Sequence, residues 1–266
     1  MNAENAIAAA VRRERLVVAA GLALLTLLAW AYIVGLRRDM DAMAPAMTMP
    51  AMEAMWMPWG AREYLLTAVM WAVMMTAMMV PSAAPMILLF ATVHRRQREE
   101  GRAAVPTAVF VLGYLAVWSA FSAAAALAQW GLHAVALLSP TMVAASPLLG
   151  GALLLAAGAY QWTPLKGACL AKCRSPLGFL LTEWRDGARG AFIMGIRHGA
   201  YCTGCCWALM ALLFVGGVMN LLWVAAIAGF VLAEKVAPAG RPVGRIAGLV
   251  LVAWGGWMVL SAGAPL

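Results

Sequence analysis

Long apolar segments are the feature that most constrains how this chain can fold. A membrane-crossing helix needs about 20 apolar residues to span a hydrocarbon core of about 30 Å. Seven segments approach that length, at residues 16–36, 64–93, 105–129, 147–163, 197–215, 221–236 and 246–262. Only 11% of the residues are charged, against about 25% in an average soluble domain. We therefore predict an all-α fold, a polytopic transmembrane helix bundle of about seven helices.

The distribution of basic residues predicts how these helices are oriented. Cytoplasmic segments of membrane proteins are enriched in Lys and Arg. If the N-terminus is cytoplasmic, 16 of the 19 basic residues lie in inner segments and only Arg37, Arg38 and Arg62 lie outside. This topology accounts for the net charge of +8 without an anionic partner. Because the basic residues are scattered between apolar runs, we expect the lipid bilayer as a partner and no nucleic acid.

Three regions follow from this reading. Residues 1–36 would form an N-terminal membrane anchor helix, whose apolar run exceeds the 7–15 residues of a signal peptide. Residues 37–63 would form a methionine-rich outer loop, and residues 64–266 the main bundle, with a polar inner loop at 164–190. The prolines at 81 and 85 predict a kink or a break in the second helix. We find no nucleotide-binding glycine pattern, and no catalytic reaction is indicated.

Methionine is concentrated in one part of the chain. Between residues 40 and 86 lie 13 of the 19 methionines. A thioether is a soft ligand that suits Cu(I) and has little affinity for hard cations. The predicted ligands are Met47, Met49, Met55 and Met57 in the outer loop, and Met74, Met75, Met78 and Met79 on the second helix. Packing is the alternative for the helix, because methionine also fills irregular cores.

All five cysteines lie in the C-terminal half of the chain. Cys169 and Cys173 are four residues apart, so one helical turn would place both sulfurs on one side. On the fifth helix, Cys202, Cys205 and Cys206 share an arc of about 100° with His198.

Cys and His together are the usual ligands of zinc, Cu(I) or an iron–sulfur centre, although the spacing matches neither a ferredoxin nor a zinc ribbon. We therefore interpret Cys169, Cys173, His198, Cys202, Cys205 and Cys206 as candidate metal ligands. Thiol redox chemistry and plain packing remain the alternatives for this cluster.

Three stretches resemble a bacterial family of unknown function that is described as predicted metal-binding integral membrane proteins. They are MWAVMMTAMMVPSAAPM, PLKGACLAKCRSP and YCTGCCWALM. The resemblance runs from about Tyr64 to the C-terminus, so the methionine-rich outer loop lies outside it. It implies a multi-pass protein of the bacterial inner membrane whose Cys and His residues bind metal, and it implies no reaction.

Taken together, the two clusters predict a copper-handling membrane protein that acts as a transporter, a chaperone or an assembly factor for a copper enzyme. Copper is the favoured metal, with zinc and iron as alternatives. A metal chaperone or a membrane enzyme subunit would be its protein partner. The alternative function is a membrane redox or accessory subunit that uses the cysteine cluster for thiol or cofactor chemistry. A structural subunit is the third possible function.

Overall fold

The computed structural model describes residues 3–43, 60–99, 105–135, 137–138, 143–144 and 146–262. The predicted ligands Met47, Met49, Met55 and Met57 lie outside these residues. Within them the regular secondary structure is helical, apart from one isolated bridge between Leu138 and Ala144. The helices are α1 Ala3–Met43, α2 Ala61–Glu99, α3 Thr107–Ala134, α4 Pro147–Tyr160, α5 Pro164–Arg174, α6 Pro176–Glu183, α7 Gly187–Ala211, α8 Leu213–Gly216, α9 Leu221–Val236 and α10 Gly240–Ala262. The all-α prediction is confirmed for the described part of the chain.

Five of the described helical segments are long and apolar enough to cross a membrane, whereas the sequence predicts about seven spans. They lie at Arg15–Ala42, Ala61–Arg95, Thr107–Ala134, Gly187–Gly216 and Gly240–Ala262. The predicted spans 147–163 and 221–236 correspond to α4 and α9, which have 14 and 16 residues. At 1.5 Å per residue these helices are about 21 and 24 Å long, shorter than a hydrocarbon core of about 30 Å.

Several predicted boundaries are wrong. Helix α1 continues past residue 36 to Met43, so the first residues of the predicted outer loop are helical, and Arg37 pairs there with Asp41. Helix α2 is continuous with both prolines inside it, so the predicted alternative of a broken helix is wrong. The predicted inner loop contains α5 and α6, and α7 begins at Gly187, ten residues before the predicted start of the fifth span.

Close helix packing builds the core around α2 and α7. Helix α3 packs along α7, and α4 packs along α10. A Cβ atom added at Gly195 would lie 2.1 Å from the backbone oxygen of Phe110, and one added at Gly113 would lie 2.2 Å from that of Phe192. These glycines therefore allow two helix backbones to touch, which is the packing role of a small-xxx-small pattern. The contact brings α3 against the face of α7 that carries the cysteines.

Candidate functional site

Helix α7 presents four of the candidate ligands to the interior of the protein. His198, Cys202, Cys205 and Cys206 are all buried, with at most 2% of each residue exposed. Helical periodicity explains this, because residues three and four apart lie on the same face. The Cys205 and Cys206 thiols each donate to the backbone oxygen of Cys202 at 3.0 Å. Because both sulfurs lie this close to the same oxygen, the distance between the Cys205 and Cys206 sulfurs is at most about twice 3.0 Å.

Helix α5 brings the other two cysteines to α7. Cys173 is buried and Cys169 is half-buried. A Cβ atom added at Gly204 would lie 2.8 Å from the Cys169 sulfur, so the missing side chain at Gly204 is what lets Cys169 approach α7. The sequence separates the two cysteine groups by about 30 residues, and the contact between α5 and α7 joins them.

The environment of the α5 thiols favours their protonated form. Hydrogen bonding to Cys202 and Cys205, and then burial, raises the pKa of the Cys173 thiol well above its ordinary value. Burial, and then the nearby Cys205 sulfur, raises the pKa of the Cys169 thiol. All five cysteines are free thiols. A soft metal that binds Cys173 would have to displace its proton, because the thiolate is the metal ligand.

One methionine of α2 reaches the cysteines. The Cys206 sulfur lies 3.9 Å from the Met79 sulfur, although the two residues are 127 positions apart. Met74, Met75 and Met78 are also fully buried in the core. The predicted methionine stripe is thus an interior surface of α2, and Met79 contacts the cysteine face of α7.

A buried lysine that is not among the predicted ligands completes the cluster. The Lys235 ammonium donates to the Cys202 sulfur and to the Ser82 hydroxyl, at 2.9 Å in each case. The Tyr114 hydroxyl lies 3.1 Å from the same sulfur and donates to the Met79 backbone oxygen. The predicted topology places Lys235 only among the 16 basic residues of the inner segments. The sequence does carry a signal for a functional role of this lysine. It lies at the end of an apolar run, and ionisable residues within membrane segments are usually functional.

His198 lies one turn before Cys202 and is enclosed by aromatic rings. Its ring centroid is 5.5 Å from that of Phe179 and 5.8 Å from that of Tyr114. Its Nδ1 atom is buried without a hydrogen-bond partner among the described residues. A neutral imidazole with a free nitrogen is a competent metal ligand, but the ring packs beside the thiols as part of an aromatic wall.

The arrangement offers soft sulfur ligands rather than a closed coordination shell. Within the described ranges, no group of three or more His, Cys, Asp or Glu side chains stands ready to hold one metal ion. Met79, whose thioether is also a soft ligand, is not one of these four residue types. Thiolate and thioether sulfurs next to a buried ammonium suit a soft monovalent cation such as Cu(I) better than a hard divalent cation.

Comparison with known proteins identifies the family of this chain. The family described as "PpoB2: Copper chaperone" matches residues 68–258, more than two thirds of the 266 residues. The match includes the methionines of α2, all five cysteines and Lys235, and it leaves out the methionine-rich segment before residue 60. Neither the comparison with curated proteins nor that with solved structures finds a match. The match is consistent with the predicted relation to a metal-related family. The chain belongs to the PpoB2 copper chaperone family.

Proposed function

We propose that this chain is an integral membrane copper chaperone that holds Cu(I) as cargo on its buried cysteines and transfers it to a copper enzyme. The family supports the copper role, and the five long apolar helices support the membrane location. The proposed ligands are Cys202, Cys205 and Cys206 of α7, Cys173 of α5 and the thioether of Met79, with Cys169 and His198 at the edge of the cluster.

The observation that carries this proposal is the contact of Lys235 with the thiol cluster. A buried ammonium is costly unless an opposite charge is close to it. With two of the four cysteine ligands ionised and the other two protonated, one Cu(I) ion leaves one net negative charge, which the Lys235 ammonium neutralises. The charges of the loaded site would therefore balance inside the protein, which favours a monovalent cargo over Zn²⁺ with the same ligands.

Copper would reach the cluster along α2. In the proposed topology the N-terminus is cytoplasmic, residues 37–63 lie outside and residues 64–266 form the metal-binding bundle. Met47, Met49, Met55 and Met57 would collect Cu(I), and Met74, Met75, Met78 and Met79 would pass it inward. The contact between Met79 and Cys206 supports this order, because it joins the thioether stripe to the thiols. Exchange from thioether to thiolate ligands needs no nucleotide.

Metal analysis tests the copper role. The full chain is purified anaerobically without a His tag, loaded with Cu(I), passed over a desalting column and analysed by mass spectrometry. A variant with Cys169, Cys173, Cys202, Cys205 and Cys206 changed to Ser is treated in the same way. We expect near-stoichiometric copper in the native chain and loss of copper in the variant. Circular dichroism and gel filtration show whether the variant retains its fold.

Other results would contradict the proposal. Zinc or iron in place of copper would keep the cluster and exclude Cu(I) as its cargo. Equal copper retention in the five-serine variant, with the fold intact, would place the cargo elsewhere. Absence of metal even after loading would exclude the copper role and leave thiol redox chemistry or packing as the role of the cysteines.

The second candidate function is thiol redox chemistry. It is favoured by the packing of α5, which carries the buried thiol of Cys173, against α7, which carries the buried thiols of Cys202 and Cys205. Two thiols would join as a disulfide and give two electrons and two protons to an acceptor subunit. Thiol counting after mild oxidation and reduction distinguishes it: a reversible loss of two thiols, without bound copper, would favour a redox subunit.

A further inference from the structure

A second polar feature lies beside the cysteine cluster and plays no part in it. A cavity of about 320 Å³ opens between the turn that joins α4 to α5 and the adjoining ends of α9 and α10. Its polar lining comprises Gln161, Thr163, Lys166, Glu234, Arg241 and Arg245. The cavity joins residues that are up to 84 positions apart in the chain, so only the packing of these helices creates it.

The deepest charges of this cavity neutralise each other. The Lys166 ammonium donates to both carboxylate oxygens of Glu234, at 2.7 and 2.8 Å, and only 2% of each residue is exposed. Lys166 also donates to the Oε1 atom of Gln161. The Glu234 carboxylate is therefore occupied and does not repel an anion as a free carboxylate would.

The remaining charge of the lining is positive. Arg241 and Arg245 are exposed at the cavity, one turn apart on α10. Neither guanidinium forms an ion pair with any residue in the described part of the chain. An arginine fork matches the oxygens of phosphate and carboxylate groups, and two arginines one turn apart can hold one such group from two sides.

A buried donor without a partner also points to a missing acceptor. The Nε2 atom of Gln161 has no hydrogen-bond partner among the described residues, although only 7% of Gln161 is exposed. Because Lys166 donates to Oε1, the orientation of this amide is defined, and Nε2 is the free end. Buried polar groups are rarely left unpaired, so a ligand that accepts a hydrogen bond at this position would satisfy it.

The surface beside the cavity is apolar. Trp162 lines the cavity and is 43% exposed, and Leu165 and Ile246 next to the lining residues are 61% and 65% exposed. Tryptophan is enriched where the hydrocarbon of a bilayer meets its headgroups. Basic pockets between transmembrane helices commonly take phospholipid headgroups.

We propose that this cavity binds a phosphate group, held by Arg241, Arg245 and the Nε2 atom of Gln161. The phosphate belongs either to the headgroup of an anionic phospholipid or to a free phosphate compound. The proposal is independent of copper binding, because no cysteine or methionine lines the cavity within the described residues.

Lipid retention tests the proposal on the full chain. The protein is placed in detergent micelles that contain phosphatidylcholine alone or phosphatidylcholine with phosphatidylglycerol, and retained lipid is counted by native mass spectrometry. Inorganic phosphate is tested separately by its effect on the melting temperature. The variants are Arg241→Gln with Arg245→Gln, and Gln161→Glu, which keeps the size of the side chain and replaces the free donor with a carboxylate.

Arg185→Gln with Arg189→Gln is the matched control, because it removes the same charge from residues that do not line the cavity. We expect native and control proteins to retain one phosphatidylglycerol and both cavity variants to retain it about tenfold less. A phosphate-dependent melting shift without lipid preference would support the site and identify a free phosphate as its ligand. Equal loss in the control variant, or no retention and no shift in the native chain, would overturn the proposal.

Discussion

The Lys235 ammonium lies 2.9 Å from the Cys202 sulfur in the interior of the helix bundle. Lys235 is 93% buried and Cys202 is fully buried, so water does not screen this contact. The pair links α9 to α7 and positions a positive charge at the thiol cluster. A buried amine next to a thiol is better explained by a charged ligand set than by packing alone.

Replacing this lysine should weaken copper binding. In Lys235→Met the methylene stem is kept and the ammonium is lost, so the negative charge of a Cu(I)–dithiolate site is left unbalanced. Outer partners of metal ligands typically contribute about 10–100-fold to metal affinity, and we expect a loss in that range. Competition against a chromogenic Cu(I) chelator measures it.

Lys172→Met is the control for this prediction, because Lys172 pairs only with the exposed Thr182 hydroxyl in the described part of the chain. It should leave the affinity unchanged. An unchanged affinity in Lys235→Met would contradict the proposed charge balance.

A comparison of two methionines separates ligation from packing. Met79→Leu removes the thioether that contacts Cys206, and Met75→Leu makes the same change at an equally buried residue of the same helix. Both should change stability by less than about 1.5 kcal/mol, since the volume is nearly conserved. Only Met79→Leu should lower Cu(I) affinity, by about tenfold or about 1.4 kcal/mol. Equal affinities in both variants would mean that the Met79 thioether does not bind the cargo.

The contact between α3 and α7 should be sensitive to a single methyl group. In Gly195→Ala the new Cβ would meet the Phe110 backbone oxygen at 2.1 Å, and neither helix backbone can move away freely. We expect a loss of about 1–3 kcal/mol in unfolding free energy, measured by denaturant titration in detergent.

Gly229→Ala provides the reference for that change, because nothing lies within 4 Å of a Cβ atom at this position of α9. The higher helix propensity of alanine should make Gly229→Ala neutral or stabilising by up to about 1 kcal/mol. If both variants behave alike, close approach at Gly195 does not limit stability.

Breaking the buried ion pair of Lys166 and Glu234 should destabilise the protein, whereas replacing both residues together should be tolerated. Glu234→Gln leaves the Lys166 ammonium buried without a counter-charge, which typically costs about 3–5 kcal/mol. The double variant Lys166→Met, Glu234→Leu removes both charges and should recover most of that loss. Thermal unfolding of Lys166→Met, Glu234→Leu and the double variant forms the cycle that measures the coupling.

Glu183→Gln is a matched control, because the Arg197 side chain that pairs with Glu183 is 43% exposed. Removing this partly solvated pair should cost no more than about 1 kcal/mol. A Glu234→Gln variant that is no less stable than Glu183→Gln would contradict the cost expected for a buried ammonium without its counter-charge.

Patterns within one helix were predictable from the sequence. His198, Cys202, Cys205 and Cys206 share the buried face that a period of 3.6 residues predicts. The same local rule places Cys169 and Cys173 together on α5, within the predicted inner loop at 164–190. The number of full-length spans was less predictable: the segments 147–163 and 221–236 were counted as spans, although α4 and α9 have only 14 and 16 residues.

The sequence by itself determined that the chain is helical and apolar, and which side of each helix its cysteine and methionine side chains occupy, because hydropathy and periodicity are local properties. Only the tertiary structure decided which helix faces meet. The contacts of Cys206 with Met79, of Cys202 with Lys235 and of Glu234 with Lys166 join residues 127, 33 and 68 positions apart. Such contacts depend on how each helix is rotated and how closely glycines let the backbones approach, and no single segment encodes either property.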